Sequence, residues 1–203
     1  MAKGLIFLVS IIAVVSLIFN FKFLQEKSLV IEVVDGDTFQ LKSGERVRLM
    51  GVDAPEIERC GGPEAKKVLA GLILNKNVNV EETVKEKYGR TMALVYVDGK
   101  LVNKMMMEQG WGVPDYRKNS QRDILTAAYT EGKKKGLWAF CIDPNSDCKI
   151  KGNIDKATYQ KTYHLPNCQH YGETSLNTAY GDQWFCSETE AQKAGFVKAK
   201  SCN

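Results

Sequence analysis

The sequence predicts an α+β fold: a five-stranded OB-type β-barrel with three helices, preceded by an N-terminal hydrophobic helix and followed by a small C-terminal α/β module. Three observations support this prediction. Residues 28–50 contain short apolar runs separated by Asp-Gly and Ser-Gly turns, which is typical of antiparallel strands. Residues 63–75 have apolar side chains at helical spacing. After Trp138 the chain becomes rich in Pro, Asn, Asp and Gly, which indicates a linker to a second unit.

The chain has 203 residues, enough for one ordinary domain and a smaller second one. Its 28 basic and 24 acidic residues give a net charge of +4. This small excess does not by itself indicate a nucleic-acid partner, because binding a polyanion requires a local basic surface rather than a basic average.

Residues 1–27, the first element, are predicted to form a secretory signal peptide or a membrane anchor. Lys3 precedes an apolar run that extends from Gly4 to about Phe19. The run is close to the lower limit of roughly 17 residues for crossing a bilayer, and no small-x-small cleavage site follows it. Both interpretations place the rest of the chain outside the cytoplasm, so we expect an exported protein that is either extracellular or membrane-anchored.

Residues 28–140 are predicted to form the barrel domain. Turn residues separate its strands, and a proline begins its first helix. The predicted elements are strands within 28–50, a helix at 63–75, strands at 77–83 and 91–97, and helices at 101–110 and about 119–135. Five strands with three helices are the content of an OB-type barrel.

Five charged residues near the ends of the predicted strands form the candidate site: Asp37, Arg48, Asp53, Glu56 and Arg90. Several of these five residues are predicted to lie in loops, where functional residues commonly lie. The loops are indicated by Asp-Gly turns and by a proline, which forces the residue before it into an extended conformation. Carboxylates bind hard cations, and arginines bind phosphate through forked hydrogen bonds. Taken singly, the residues have simpler explanations, since the acids could be turn residues and Arg48 could form a surface ion pair with Glu45 or Glu56.

From about Leu29 to Trp138 the sequence resembles the staphylococcal nuclease (thermonuclease) family. The resemblance depends on several motifs in the same order: Asp-Gly-Asp-Thr at 35–38, the run at 48–56, Tyr-Gly-Arg at 88–90, and LVNKMMMEQGW at 101–111. The combination is specific, although each motif alone would be weak. It implies an OB-type barrel that hydrolyses phosphodiester bonds and leaves a 3′-phosphate.

The resemblance also implies how the metal is held. Asp37, Asp53 and the backbone carbonyl of Ala54 would bind one Ca²⁺, while waters and a phosphate oxygen complete its shell of about six to eight oxygen ligands. The best-known member of the family has Thr where this chain has Ala54. The carbonyl is retained and only a hydroxyl is lost.

The remaining candidates would act on the substrate. Arg48 and Arg90 would bind the phosphate more strongly as negative charge develops in the transition state, and Glu56 would orient or deprotonate the attacking water. Further candidates, which would support the metal ligands or contact the substrate, are Asp35, Lys87, Tyr88 and Tyr116. The best-known member of the family has Asp at the position of Glu86. This conservative difference leaves in doubt only the detail of the loop or of metal binding.

The tail has its own candidate residues. Residues 141–148 are predicted to be a linker, and 149–203 a small Cys/His-containing module. Its segments YHLPNCQHY (163–171) and WFCSETEAQKAGF (184–196) resemble a module appended to some bacterial secreted nucleases. The candidate residues are His164, Cys168, Cys186 and Cys202, and a Zn²⁺ site, disulfide bonds or free thiols would fit them.

The spacing of the cysteines does not decide between these alternatives. Six cysteines allow 15 disulfide patterns. We considered two pairings: Cys141 with Cys148, and Cys168 with either Cys186 or Cys202.

The expected function is a Ca²⁺-dependent endonuclease that acts on DNA and RNA with low sequence specificity. The expected partners are DNA, RNA and, if the N-terminal segment is not cleaved, a membrane; no protein partner is inferred. The alternative is a catalytically inactive nucleic-acid-binding OB-fold module, either exported or membrane-anchored. A third hypothesis, from another class, is an anchored adhesion protein whose tail carries the function.

Overall fold

The computed structural model describes residues 16, 28–86, 89–115, 117–141, 147–155 and 158–202. The predicted N-terminal helix (apart from Ser16), most of the predicted linker, and the candidates Lys87, Tyr88 and Tyr116 therefore lie outside the described residues. Within the described part of the chain, no helix is both long and apolar enough to cross a bilayer.

The first unit combines a six-stranded sheet with a short two-stranded sheet. Its strands are β1 Val30–Val33, β2 Thr38–Leu41, β3 Arg46–Leu49, β4 Val52–Asp53, β5 Asn79–Lys85, β6 Thr91–Val97, β7 Lys100–Leu101 and β8 Val113–Pro114. The large sheet has the order β1-β2-β3-β6-β5, with β7 paired to β6, and β4 pairs with β8. Strands β3 and β6 are parallel, while the other pairs are antiparallel.

The helices of this unit are α1 Gly62–Ile73, α2 Val102–Glu108, α3 Arg122–Gly132 and α4 Leu137–Phe140. Helix α1 has Pro63 in its first turn, where the missing amide hydrogen is tolerated. Its buried residues Ala65, Leu69 and Ile73 recur every four positions and so form one apolar face. The three predicted helices are therefore present within a few residues of their predicted bounds, and α4 was not predicted.

The core of the first unit lies between its sheet and its helices. Strand β3 alternates, so that Val47 and Leu49 are buried in the core while Arg48 belongs to the other face. Asn103 of α2 is fully buried; its Oδ1 accepts from the Val95 amide at 2.9 Å, and its Nδ2 donates to the Met50 carbonyl at 2.8 Å. This asparagine joins α2 to two backbone segments of the sheet.

The second unit is a small four-stranded sheet with one helix. Its strands are β9 Ile150–Ile154, β10 Lys161–His164, β11 Gln183–Phe185 and β12 Val197–Lys198, in the order β11-β9-β10-β12. A 3₁₀ helix spans Thr178–Tyr180, and helix α5 spans Glu188–Lys193. The side chains that form its core are Ile150, Tyr163, Phe185, Ala191 and Phe196. We call residues 147–202 the tail module.

The fold is thus mixed α and β, with several sheets and a few helices. The predicted strands at 77–83 and 91–97 correspond to β5 and β6. The count of five is too low for the first unit, because the described residues there also form the two-residue strands β4, β7 and β8. Such short strands contain too few residues to show a period in the sequence. An isolated bridge joins Leu29 to Asn77, and closure of the sheet into a barrel stays a prediction.

All six cysteines form disulfide bonds: Cys60–Cys141, Cys148–Cys186 and Cys168–Cys202. The predicted pairing of Cys141 with Cys148 is wrong, because Cys141 approaches the loop before α1 instead. Of the two partners considered for Cys168, Cys202 is the one bonded. Because Zn²⁺ needs free thiolates, these bonds leave Cys168, Cys186 and Cys202 unable to form the zinc site considered for the tail.

Candidate active site

The turn between β1 and β2 presents the first acidic residue. Asp35 Oδ1 accepts hydrogen bonds from the backbone amides of Asp37 at 2.9 Å and Thr38 at 2.7 Å, so the Asp35 side chain closes the turn. A Cβ atom added at Gly36 would lie 2.6 Å from the Cβ atoms of both Ala54 and Ala65. The turn therefore contacts both the loop after β4 and helix α1. Asp35 supports Asp37 through the backbone.

The Asp37 carboxylate is buried and fully engaged, with 3% of its side chain exposed. Its Oδ1 accepts from the Thr38 hydroxyl at 2.8 Å, and its Oδ2 accepts from the Ala54 amide at 3.0 Å. Burial raises the pKa of Asp37 to about 7, and the charge of Asp35 adds to the increase, whereas the positive charge of Arg48 opposes it. The hydrogen bond from Ala54 fixes the loop after β4 beside this carboxylate.

Arg48 connects two carboxylates from different elements. One terminal nitrogen of its guanidinium lies 2.8 Å from Asp37 Oδ2 and 2.7 Å from Asp53 Oδ1. Burial disfavours the charged form, but the charges of Asp37 and Asp53 raise the pKa of Arg48 overall. The alternative of a surface pair with Glu45 or Glu56 is wrong, because 15% of the Arg48 side chain is exposed and its partners are the two aspartates.

The residues predicted to hold a metal ion are therefore adjacent. Asp37 and Asp53 present oxygen atoms to the same guanidinium nitrogen, and Ala54 is bonded to Asp37 through its amide. Oxygen ligands suit a hard cation such as Ca²⁺. Across the described ranges, no group of three or more His, Cys, Asp or Glu side chains is arranged to hold a metal ion. The two carboxylates fit such an ion only if oxygen atoms from solvent or substrate supply most of its ligands.

Glu56 lies on a tightly held backbone with an exposed side chain. The Arg59 amide donates to the Glu56 carbonyl at 2.9 Å, and a Cβ atom at Gly62 would lie only 2.1 Å from that carbonyl oxygen. Residues 56–62 thus form a compact turn at the start of α1. Within the described residues, no hydrogen bond engages the Glu56 carboxylate, which leaves it able to bind a water molecule.

Arg90 belongs to a neighbouring cluster rather than to the group around Arg48. Its Nε donates to Glu86 Oε2 at 2.8 Å, and Arg117 donates to Glu86 Oε1 at 2.9 Å. Burial would raise the pKa of Glu86, but the bond from Arg117 and the charge of Arg90 lower it overall. Arg90 also lines a depression of about 730 Å³ together with Arg46 and Lys85. Glu45 lines the depression as well and pairs with Lys85 at 2.6 Å, which leaves a net positive surface that is suited to a phosphate backbone.

The two clusters are linked electrostatically, since the negative charge of Glu86 contributes to the raised pKa of Arg48. The structure thus brings together Asp35, Asp37, Arg48, Asp53 and Ala54 by direct contact. Among the described residues, Arg90 is linked to this group through Glu86. Arg117 and Glu86 complete the second cluster, and neither was among the predicted site residues.

Tyr180, in the tail module, also reaches this site. Its hydroxyl donates to the backbone carbonyl of Asp53 at 3.0 Å, and a backbone hydrogen bond from Val113 engages the same hydroxyl. Burial and then the charge of Asp53 raise the pKa of Tyr180 well above its ordinary value, so the hydroxyl keeps its proton. Sequence reasoning missed this residue, because only the packing of the tail module against β4 and β8 gives it a role.

His164 lies apart from a metal-binding arrangement. Its Nε2 is 3.2 Å from Asn153 Oδ1, and its Nδ1 is buried without a hydrogen-bond partner among the described residues. Burial, followed by the charges of His170 and Lys151, lowers the pKa of His164. Its neighbour Cys168 is bonded to Cys202. His164 therefore packs as a neutral side chain in β10.

The chain is similar to one sequence family and to several known proteins. The sequence model of the family described as "Staphylococcal nuclease homologue" matches residues 46–140. The chain is similar to protein ParB of Escherichia coli, with 33% identity over 132 residues that cover 58% of this chain and 73% of that protein.

Two further relatives have nuclease names. A protein of Haemophilus influenzae named as an uncharacterized endonuclease is 36% identical over 118 residues, which cover 54% of this chain and 65% of that protein. A micrococcal nuclease of Shigella flexneri is 30% identical over 132 residues, which cover 58% of this chain and 74% of that protein. The family match ends at residue 140, so it does not include the tail module.

Proposed function

Because the chain belongs to the staphylococcal nuclease homologue family, we propose that it is a Ca²⁺-dependent endonuclease that hydrolyses DNA and RNA with low sequence specificity. The observation that carries this proposal is the contact of one Arg48 nitrogen with both Asp37 and Asp53. This contact supports the proposal, because arginine is suited to binding phosphate and paired carboxylates are suited to binding a hard metal ion. Two relatives with endonuclease or nuclease in their names support the reaction class.

The chain's own residues would divide the chemistry. Asp37, Asp53 and the Ala54 carbonyl would hold the ion, which when bound supplies positive charge to the phosphate. Arg48 would then be free to exchange a carboxylate contact for a phosphate oxygen, and its hydrogen bonds would strengthen as the pentacoordinate transition state gains charge. Glu56 would orient the attacking water or accept its proton.

Low sequence specificity follows from the kind of contacts that the site offers. Arginines that bind phosphate carry no sequence information, and both DNA and RNA have the same phosphodiester backbone. We propose cleavage that leaves the phosphate on the 3′ end, as the family resemblance implies. Treating the products with a 3′-phosphatase before polymerase extension tests this: extension should require the phosphatase.

The decisive experiment is a cleavage assay on heat-denatured DNA and on RNA, with Ca²⁺ or with chelator. We expect activity with Ca²⁺, none with chelator, and a loss of at least about a hundredfold in Arg48→Ala and Glu56→Gln. Glu58→Gln on the same loop and Arg122→Ala on α3 are exposed, charge-matched controls and should keep full activity. Activity that survives chelation, or full activity in Arg48→Ala, would contradict the proposal. Binding without cleavage would indicate the inactive nucleic-acid-binding alternative.

We also propose export. Three disulfide bonds are typical of proteins that mature in an oxidising compartment, and the apolar run near the N-terminus would direct the chain there. Cell fractionation with mass determination of the mature protein distinguishes a cleaved, extracellular form from an anchored one. Recovery of the reduced protein in the cytosol would contradict export.

A further inference from the structure

A groove of about 320 Å³ lies between the loop that carries Glu56 and the tail module. Glu56 and Arg59 line it from the first unit, while Tyr159, Lys161 and Tyr180 line it from the tail module. We call it the interface groove. Its volume lies within the range of about 300–1,000 Å³ that is usual for small-molecule sites. Because Glu56 belongs to both, the interface groove is continuous with the candidate active site.

Arg59 supplies a cation in the interface groove. Its side chain is exposed, and no carboxylate among the described residues pairs with it. One guanidinium nitrogen would lie 3.4 Å from a Cβ atom added at Gly181, so the side chain extends from the loop to the tail module. Lys161 is less available, because its ammonium group donates to the Ala194 carbonyl at 3.2 Å. Arg59 is therefore the residue suited to bind an anion.

Tyr159 supplies an aromatic surface at the rim of the interface groove. The side chain is 72% exposed, and it lies in the connection between β9 and β10. Its backbone adopts a positive φ of 57°, and its amide donates to the Asp155 carbonyl at 2.8 Å. An exposed tyrosine in a strained backbone conformation buries little apolar surface in the free protein. Its ring is open for stacking on a planar group.

We propose that the interface groove binds a nucleotide of single-stranded DNA or RNA on one side of the scissile phosphate. Arg59 binds the phosphate of that nucleotide and Tyr159 stacks on its base. The proposal rests on the proposed function, because that function identifies the reaction at the adjacent candidate active site as phosphodiester hydrolysis. It gives the tail module, which lies beyond the family match, a part in substrate binding.

The chemistry of the groove favours an unpaired strand. A single base has an exposed face for the tyrosine ring, whereas the bases of a duplex are stacked on each other. A ring flanked by a cation is the pattern by which single-strand binders follow a backbone without reading its sequence.

The test measures binding of a fluorescein-labelled 12-nucleotide thymidine strand by anisotropy, in chelator so that no cleavage occurs. Arg59→Ala should weaken binding about tenfold and reduce the slope of log K against log salt by about 0.7, the value for one lost phosphate contact with a single strand. Tyr159→Ala should weaken binding about fivefold or more with an unchanged slope, and Tyr159→Phe should bind like the wild type. Lys100→Ala, exposed in β7, is the charge-matched control and should change neither quantity.

A second strand made of abasic residues separates stacking from charge. The wild type and Tyr159→Ala should bind it equally, while Arg59→Ala should remain weaker. An unchanged salt slope in Arg59→Ala, or equal binding of the thymidine strand by Tyr159→Ala and the wild type, would overturn the groove proposal even if cleavage is normal. If Arg59 and Tyr159 affect binding as expected but the wild type cleaves nothing, the proposed function fails and the groove proposal stands.

Discussion

Arg48 holds together two carboxylates that would otherwise repel each other. Asp37 is buried, so its charge depends on this guanidinium, and the Asp53 side chain, 32% exposed, depends on it less. A buried ion pair adds little net stability compared with an apolar pair, but removing one partner leaves an uncompensated charge. The arginine therefore has a role in the free protein, in addition to the role in substrate binding that we propose for it.

Arg48→Ala should lower the free energy of unfolding in chelator by about 2–4 kcal/mol at neutral pH, because Asp37 and Asp53 would lose their counter-charge. Added Ca²⁺ should return much of the loss, since a bound cation would take over that role. Urea denaturation with and without Ca²⁺ measures both effects. Arg46→Ala, exposed on the same strand, is the control and should change stability by less than about 0.5 kcal/mol. An Arg48→Ala protein as stable as the wild type in chelator would contradict this role.

Asn103 is a structural counterpart to Arg48, since its buried amide satisfies backbone groups of Met50, Ala93 and Val95. Asn103→Ala should cost about 2–4 kcal/mol, because these groups would be buried without partners. Thermal or urea unfolding measures the loss, and Asn79→Ala, at an exposed position of β5, is the comparison and should cost much less. A cost below about 1 kcal/mol would mean that water replaces the amide.

At the scale of elements, the sequence was informative where a pattern is local. Pro63 at the start of α1 and the apolar side chains at helical spacing behind it predicted the helix to within two residues at each end. The Asp35 turn was also predictable, because the side chain bonds to amides two and three residues ahead. Strands β4 and β8 were not predictable, because a two-residue strand has no sequence period and is defined by its pairing with another strand.

Strand β10 contains a histidine whose titration should affect stability. The pKa of His164 is lowered from its ordinary value of 6.5, chiefly by burial, so the folded protein favours the neutral ring. The unfolded chain binds the proton more readily. The stability from neutral His164 is therefore fully present above about pH 6.5 and decreases as the pH falls toward the lowered pKa of the folded state.

We expect His164→Gln to lose less stability than the wild type between pH 7.5 and pH 5.5, when urea midpoints are compared. The exposed residue His170 offers a matched variant, His170→Gln, which keeps the ring at position 164 and should retain most of the wild-type pH dependence. An identical pH dependence in wild type and His164→Gln would contradict the prediction.

At the scale of the whole molecule, the tail module and the first unit meet at the site. The Cys60–Cys141 disulfide joins the loop before α1 to the end of α4, and Cys141 accepts hydrogen bonds from Thr178 through its carbonyl. These contacts place the 3₁₀ helix, and with it Tyr180, beside Asp53. None of this was predictable, because residues distant in sequence meet only after both units have folded, and cysteine spacing does not encode their pairing.

Removing this disulfide should be costly because its two cysteines are 81 residues apart. A Cys60→Ala, Cys141→Ala double variant should lose about 3–5 kcal/mol, since the unfolded chain gains the entropy that the crosslink removed. Its activity should also be lost at a lower temperature than that of the wild type. The Cys168→Ala, Cys202→Ala variant is the comparison, because it disrupts the tail module without releasing the loop that carries Glu56. Equal stability of the first double variant and the wild type would contradict the expectation.

Gly36 has a consequence for how this protein can vary. The Cβ atoms of Ala54 and Ala65 are fixed to their backbones, so neither can move aside for a side chain at position 36. A side chain at position 36 would therefore require the acidic turn to move away from helix α1 and from the loop after β4, and a deep mutational scan should show that every substitution of Gly36 is poorly tolerated. In any lineage that keeps this contact, the distance between the acidic turn and helix α1 is inherited together with the missing side chain at this one position.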